Sequence, residues 1–245
     1  MIVLGIETAT RVTAVGIVRD GQIVVDVSET ATTGHAARLP EIGTQALGEA
    51  GIGLDGVVGL GVSVGPGSFT GLRVGLAFAK GVAFSGGCPL VGIGTPDALA
   101  MLAPEKYARV ATVLDARRGE TYVAVFRREG GFFRRSGIDV ALGPEEACNR
   151  ICEEASAEGG APMIVLGDGI ERYASAFASL AVYGIDAAPL SAIAPRGSSV
   201  ALLAAERLRR GERDPLETVV PRYVRASAAE RNAADASLTT EKALS

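Results

Sequence analysis

One order of elements recurs twice along the 245 residues, and a chain that repeats itself on this scale has few folds open to it. The first copy opens with Ile2–Ile6, a short apolar strand, and continues with Thr13–Arg19. Asp20-Gly21 makes a two-residue hairpin turn, because glycine accepts positive φ, and Gln22–Ser28 returns. A helix over Ala36–Ala50 follows, with Pro40 placed in its first turn, then a buried strand Val57–Val64 and a helix Gly71–Ser85. After a short strand at Leu90–Ile93 the order returns. Arg109–Asp115 and Thr121–Arg128 read as strands, Glu129-Gly130-Gly131 as a turn and Phe132–Ser136 as the start of a third strand. Pro144–Ala157 is helical, Met163–Gly167 a strand and Ile170–Leu180 a helix. Both copies read βββαβα. They also match locally. Glu7 ends the first strand of one copy and Asp115 that of the other, and Thr13-Ala14-Val15-Gly16-Ile17 answers Thr121-Tyr122-Val123-Ala124-Val125.

A duplicated βββαβα unit resembles the plan of the actin, sugar-kinase and heat-shock ATPase superfamily. That resemblance implies an α/β protein of two ribonuclease-H-like lobes facing across a cleft. The expected lobes are residues 1–103 and 104–225, with the boundary near Ala103–Arg109. A long final helix over Gly197–Arg210 is expected to pack back on the first lobe. Val219–Arg225 reads as ordered, and residues 226–245, rich in small and polar side chains, as a flexible tail.

Composition narrows the function. Apolar residues make up 48% and charged residues 21%, ordinary for a chain with a real core, and the net charge is −4. Tight autonomous binding of nucleic acid usually needs a basic excess, since phosphate neutralisation supplies most of the affinity. Tight, unaided grip on RNA is therefore disfavoured, while a local basic patch or a partner would supply it by another route. The chain has three cysteines and one histidine. Cys148 and Cys152 lie four apart with no further metal ligand nearby, so they read as buried thiols of a reducing compartment. The start carries no signal-type run, and no segment reaches the roughly 20 apolar residues of a membrane span. A cytoplasmic protein is expected.

Few residues offer chemistry. Glu7, Thr8 and Thr10 sit in the first strand-end turn and Asp115 in the second. Carboxylates and hydroxyls at such turns suit magnesium and phosphate oxygens, or they simply cap turns, and a degenerate nucleotide cleft covers both readings. Gly65-Pro66-Gly67-Ser68-Phe69-Thr70-Gly71 joins strand to helix. Its helix start could hold an anion, but no Gly-Lys-Ser/Thr follows, so it is not a P-loop, and a structural turn capped by Ser68 or Thr70 is the alternative. Arg117 and Arg118 stand at a charged hairpin tip, which reads as a solvated turn or a phosphate contact.

The helix after the glycine loop is apolar nearly all round, with Arg73 and Lys80 its plain exceptions, which argues burial on more than one face. Gly71, Gly75 and Ala79 form a small-residue ridge that would admit a neighbouring helix. A partner or dimer interface is expected over Leu72, Arg73, Gly75, Leu76, Ala79 and Lys80, with Leu39, Ile42 and Ala46 of the preceding helix beside it. Leu76→Glu is the variant expected to break it.

Several segments together resemble the TsaB (YeaZ) family: GIETAT at Gly5–Thr10, His35 before a helix, the run Gly65–Gly81, DARRGETY at Asp115–Tyr122, GDG at Gly167–Gly169 and PRYVR at Pro221–Arg225. The family usually has Asp where this chain has Glu7. The resemblance implies a non-catalytic scaffold in threonylcarbamoyladenosine modification of tRNAs that read codons beginning with adenosine. It implies docking to a TsaD-like paralogue, a TsaE-like ATPase in the complex, a homodimer when alone and tRNA contact mainly through the complex. It implies no cofactor of its own, with ATP and metal held by partner subunits. The paralogue carries an HxxxH metal pair whose places here fall on Thr95 and Leu99, which cannot replace imidazole. A metallopeptidase activity is accordingly not expected. The alternative that the residues leave open is a stand-alone ATP-dependent kinase or acyl-phosphate enzyme built on Glu7 and Asp115.

Overall fold

The computed structural model describes residues 1–30, 34–136, 140–157, 161–193 and 195–223. The proposed tail at 226–245, and the last two residues of the Val219–Arg225 segment, lie outside them. In chain order the first half runs β1 (Ile2–Glu7), β2 (Val12–Arg19), β3 (Gln22–Thr30), α1 (His35–Ala50), β4 (Gly59–Gly65), α2 (Phe69–Gly86), β5 (Leu90–Gly94) and α3 (Thr95–Ala100). The second half runs β6 (Arg109–Arg117), β7 (Glu120–Glu129), β8 (Phe132–Arg135), β9 (Val140–Leu142), α4 (Pro144–Ala157), β10 (Met163–Leu166), α5 (Asp168–Arg172), α6 (Ala174–Phe177), β11 (Asp186–Ala188) and α7 (Gly197–Arg209).

Two sheets carry the duplication. The first has order β3-β2-β1-β4-β5 and the second β8-β7-β6-β10-β11, with β9 also on β7. In each, the first three strands are antiparallel and the last two join parallel through helical crossovers. The Asp20-Gly21 turn has φ of 53° and 87°, the left-handed pair that a tight hairpin needs.

Alternation along β1 decides what each face of the first sheet meets. Leu4 and Ile6 point to a core shared with α1 and α2, whereas Val3 packs with Val200, Ala201 and Ala204 of α7. α7 approaches so closely that a Cβ at Gly16 would run into the Ser198 backbone. In the second lobe, Val113 and Val123 meet α4, while Val110 and Phe126 meet Leu99 and Ala100 of α3. Each lobe thus has one sheet face covered by a helix from the other half of the chain.

Two expectations are corrected. Pro40 lies in the second turn of α1, not the first. It is tolerated because Ala36 and Pro40 are both on the exposed face, where water can take the Ala36 carbonyl that lost its donor. The single helix over Ile170–Leu180 is instead α5, α6 and a 3₁₀ turn at Ala178–Tyr183, broken where Tyr173 leaves helical geometry at φ −120° and ψ 43°. α3, β9 and β11 are too short to carry a readable period.

Candidate functional site

The first strand-end turn is built around a buried acid. Glu7 and Thr8 are fully buried and Thr10 partly so. One Glu7 oxygen accepts the Ala9 N–H at 2.6 Å and the other accepts the Ser63 hydroxyl from β4. Burial pushes the carboxyl up from 4.5 to about 7, against the pull of Ser63, Ala9 and Thr10 in the opposite direction. With both oxygens engaged and no solvent-facing edge, Glu7 does not fit a magnesium site. It organises the turn.

That turn in turn seats α2. Thr8 donates its hydroxyl to the Gly71 carbonyl at 2.8 Å, and a Cβ at Gly75 would collide with Thr8. The Ser68 N–H bonds the Ala9 carbonyl at 2.6 Å, and the Ser68 hydroxyl caps the helix by accepting from the Gly71 N–H at 3.2 Å. Two N–H groups of the glycine loop, those of Ser68 and Gly71, are thus spent on the protein itself, and Ser68 is the helix cap that the sequence offered.

Asp115 is held by partners of the second lobe. It lies within β6, and its side chain accepts from the Arg117 N–H at 2.9 Å and the Tyr173 hydroxyl at 3.1 Å. Arg117 and Arg172 flank it at 3.4 and 3.3 Å. Asp168, from the Gly167–Gly169 segment, accepts the Asp115 N–H at 2.8 Å, and burial raises its pKa. Arg118 and Gly119, at φ 56° and 82°, form an exposed hairpin turn.

Thr95 and Leu99 stand one turn apart on α3, each only 2% exposed in the seam between the lobes. An alcohol and an alkyl side chain do not fit a transition metal, and the Thr95 hydroxyl has no hydrogen-bond partner among the described residues. Among the described residues, no group of three or more His, Cys, Asp or Glu side chains could hold a metal. Cys148 and Cys152 are core thiols of the second lobe, and burial pushes Cys152 up to about 11.

The expected interface needs correction. Leu39, Ile42, Ala46, Leu72, Gly75, Leu76 and Ala79 are buried inside the first lobe, against the sheet or the Thr8 turn. The small ridge admits Thr8, not a helix. Arg73 is exposed and Lys80 half-buried. What α2 presents outward is a different stripe: Phe69, Arg73, Ala77, Gly81 and Phe84, the last 85% exposed. Sequence period alone could not assign this face, because both sides of α2 are apolar. Ser63 and Asp168 were also missed as partners, since each meets its acid or amide more than fifty positions away in sequence.

A family model described as TsaD, tRNA N6-adenosine threonylcarbamoyltransferase, matches residues 27–233. The chain is 33% identical over 148 residues to the tRNA threonylcarbamoyladenosine biosynthesis protein TsaB of Escherichia coli (strain K12), covering 59% of this chain and 64% of that protein. It thus spans just under two thirds of the length of that relative. YeaZ from Pseudomonas aeruginosa superposes with a TM-score of 0.75 at 25% identity, over 91% of this chain and 99% of that one. The ROK hexokinase from Thermus thermophilus, at TM-score 0.52 and 16% identity over 85% of this chain and all of that one, shares the two-lobed fold alone. No helix among the described residues is long and apolar enough to cross a membrane.

Proposed function

Because the chain belongs to the TsaD family, tRNA N6-adenosine threonylcarbamoyltransferase, we propose that it serves threonylcarbamoyladenosine biosynthesis on tRNA as a TsaB-type subunit without transfer chemistry of its own. Its role is to dock on a TsaD-like catalytic subunit and hold it in its working arrangement. The observation that carries this reading is the C-terminal half of the outward stripe of α2, around Ala77, Gly81 and Phe84. Phe84 is 85% exposed, and Gly81 beside it leaves open space that a partner helix could enter. Solvent-facing apolar surface of this kind favours association. Arg73 and Lys80, already singled out in the sequence, border the stripe.

The buried Thr95 and Leu99 support the non-catalytic part, since neither can ligate the metal that the resemblance assigns to the paralogue. On this reading ATP and metal come with the TsaD-like and TsaE-like subunits, modification falls on tRNAs reading codons that begin with adenosine, and a second copy covers the stripe when the paralogue is absent. The site of action is the cytoplasm.

Reconstitution tests it. Purified partners, tRNA, threonine, bicarbonate and ATP are incubated with and without this chain, and the modified nucleoside is measured by mass spectrometry after digestion. Modification is expected to require the chain. An equal yield without it would remove the proposed role.

A further inference from the structure

We propose that this chain itself binds a single-stranded stretch of RNA, with a backbone phosphate in an arginine-lined groove between the lobes and an adjacent base stacked on an aromatic platform beside it. The inference rests on the tRNA-modifying role proposed above and adds a direct contact to it.

The groove, about 180 Å³, lies where β5, β8 and α7 meet. Arg134, Arg135, Arg207, Arg210 and Arg222 line it. Carboxylates temper this charge. Asp97 pairs with Arg135, Glu206 is shared by Arg134 and Arg210, Glu212 is shared by Arg207 and Arg210, and Asp214 flanks Arg207. Among the described residues, four carboxylates thus face five guanidinium groups. The surplus is Arg222, which is exposed and has no side-chain partner among the described residues. In a chain of net charge −4, such a concentration is local and specific in place. Guanidinium forks suit phosphate oxygens.

The base has somewhere to go. Tyr223, next along the chain from Arg222, stacks on Phe69 with ring centroids 5.3 Å apart. Arg73 lies over the Phe69 ring at 3.9 Å and donates to the Tyr223 hydroxyl at 3.0 Å. Phe69 and Tyr223 are 42% and 38% exposed, so the stacked pair is partly open to solvent. A cationic groove beside aromatic faces is what single strands need. The Arg222 N–H bonds the Val64 carbonyl at 2.6 Å, so the backbone between groove and platform is fixed whatever side chain stands at 222.

Fluorescence anisotropy with the isolated full chain and a labelled RNA stem-loop carrying an unpaired loop tests the proposal. Binding is expected to be weak and to fall about three- to sevenfold between about 50 and about 200 mM salt, as for one or two phosphates on a single strand. Arg222→Glu and Tyr223→Ala are each expected to weaken it about tenfold, while Tyr223→Phe, which keeps the ring, binds like the parent. Circular dichroism confirms folding of each variant. No binding at low salt, or binding unchanged in Arg222→Glu and Tyr223→Ala, overturns the proposal, as does complete displacement of the RNA by AMP at equal concentration, which would make this a mononucleotide site. No RNA binding by the parent chain, with reconstitution still dependent on it, would sink this inference and leave the subunit role standing. The converse pattern would sink the role alone.

Discussion

At the scale of single residues, Glu7 does the most unusual work. A carboxyl with no exposed surface usually costs stability when ionised, and here its pKa rises to about 7. The folded state therefore holds this proton more tightly than the unfolded chain, whose carboxyl titrates near 4.5. The stabilisation is fully present below that unfolded value and is lost as pH rises through about 7, a change of about 3 kcal/mol. Glu7→Gln should flatten this slope. Urea unfolding of both proteins across that pH window checks it, since Asp26 and Asp168, also raised by burial, remain in both. Parallel curves for parent and variant would contradict the assignment. The acid itself was visible in the sequence as the end of a strand. Its role was not, because Ser63 reaches it from another strand and the turn it holds then seats Thr8 against Gly75.

At the scale of elements, α2 shows how one apolar helix serves two surfaces. Its inner residues Leu72, Leu76 and Ala79 are at most 4% exposed, so Leu76→Glu buries an unpaired charge and should destabilise the fold by about 4 kcal/mol or more. That variant reports on stability, not docking. Phe84→Glu is the informative change. It should leave the thermal midpoint within a few degrees, because surface substitutions are typically within about 0.5 kcal/mol, while reducing association with the TsaD-like subunit at least tenfold. Paired calorimetric melting and titration of the two variants separate the effects, and unimpaired association of Phe84→Glu would move the docking face elsewhere. The helix and its start were legible from Gly65 to Gly81. Which of its faces was inside was not, because an all-round apolar helix has no polar side to orient it.

At the scale of the whole molecule, the lobes are stabilised by exchange. α7 closes one face of the first sheet, over Val3, Val18 and Val91, and α3 closes one face of the second. A chain ending at Ile193 should therefore expose the first sheet while the core around Ala111, Val113 and Ile151 remains covered by α4. Hydrogen exchange is expected to show β1–β5 losing protection to a much greater degree than β6 and β7, and equal protection throughout would show α7 to be dispensable. The sequence by itself determined the duplication, the hairpins and the order of elements within each repeat, because those depend on local periodicity and turn chemistry. Only the tertiary structure decided which apolar face of α2 is buried, that both Glu7 oxygens are engaged inside the protein, and that five arginines from β8, α7 and the residues that follow α7 converge on one groove. Those depend on contacts between residues far apart in the chain, and no local pattern encodes them.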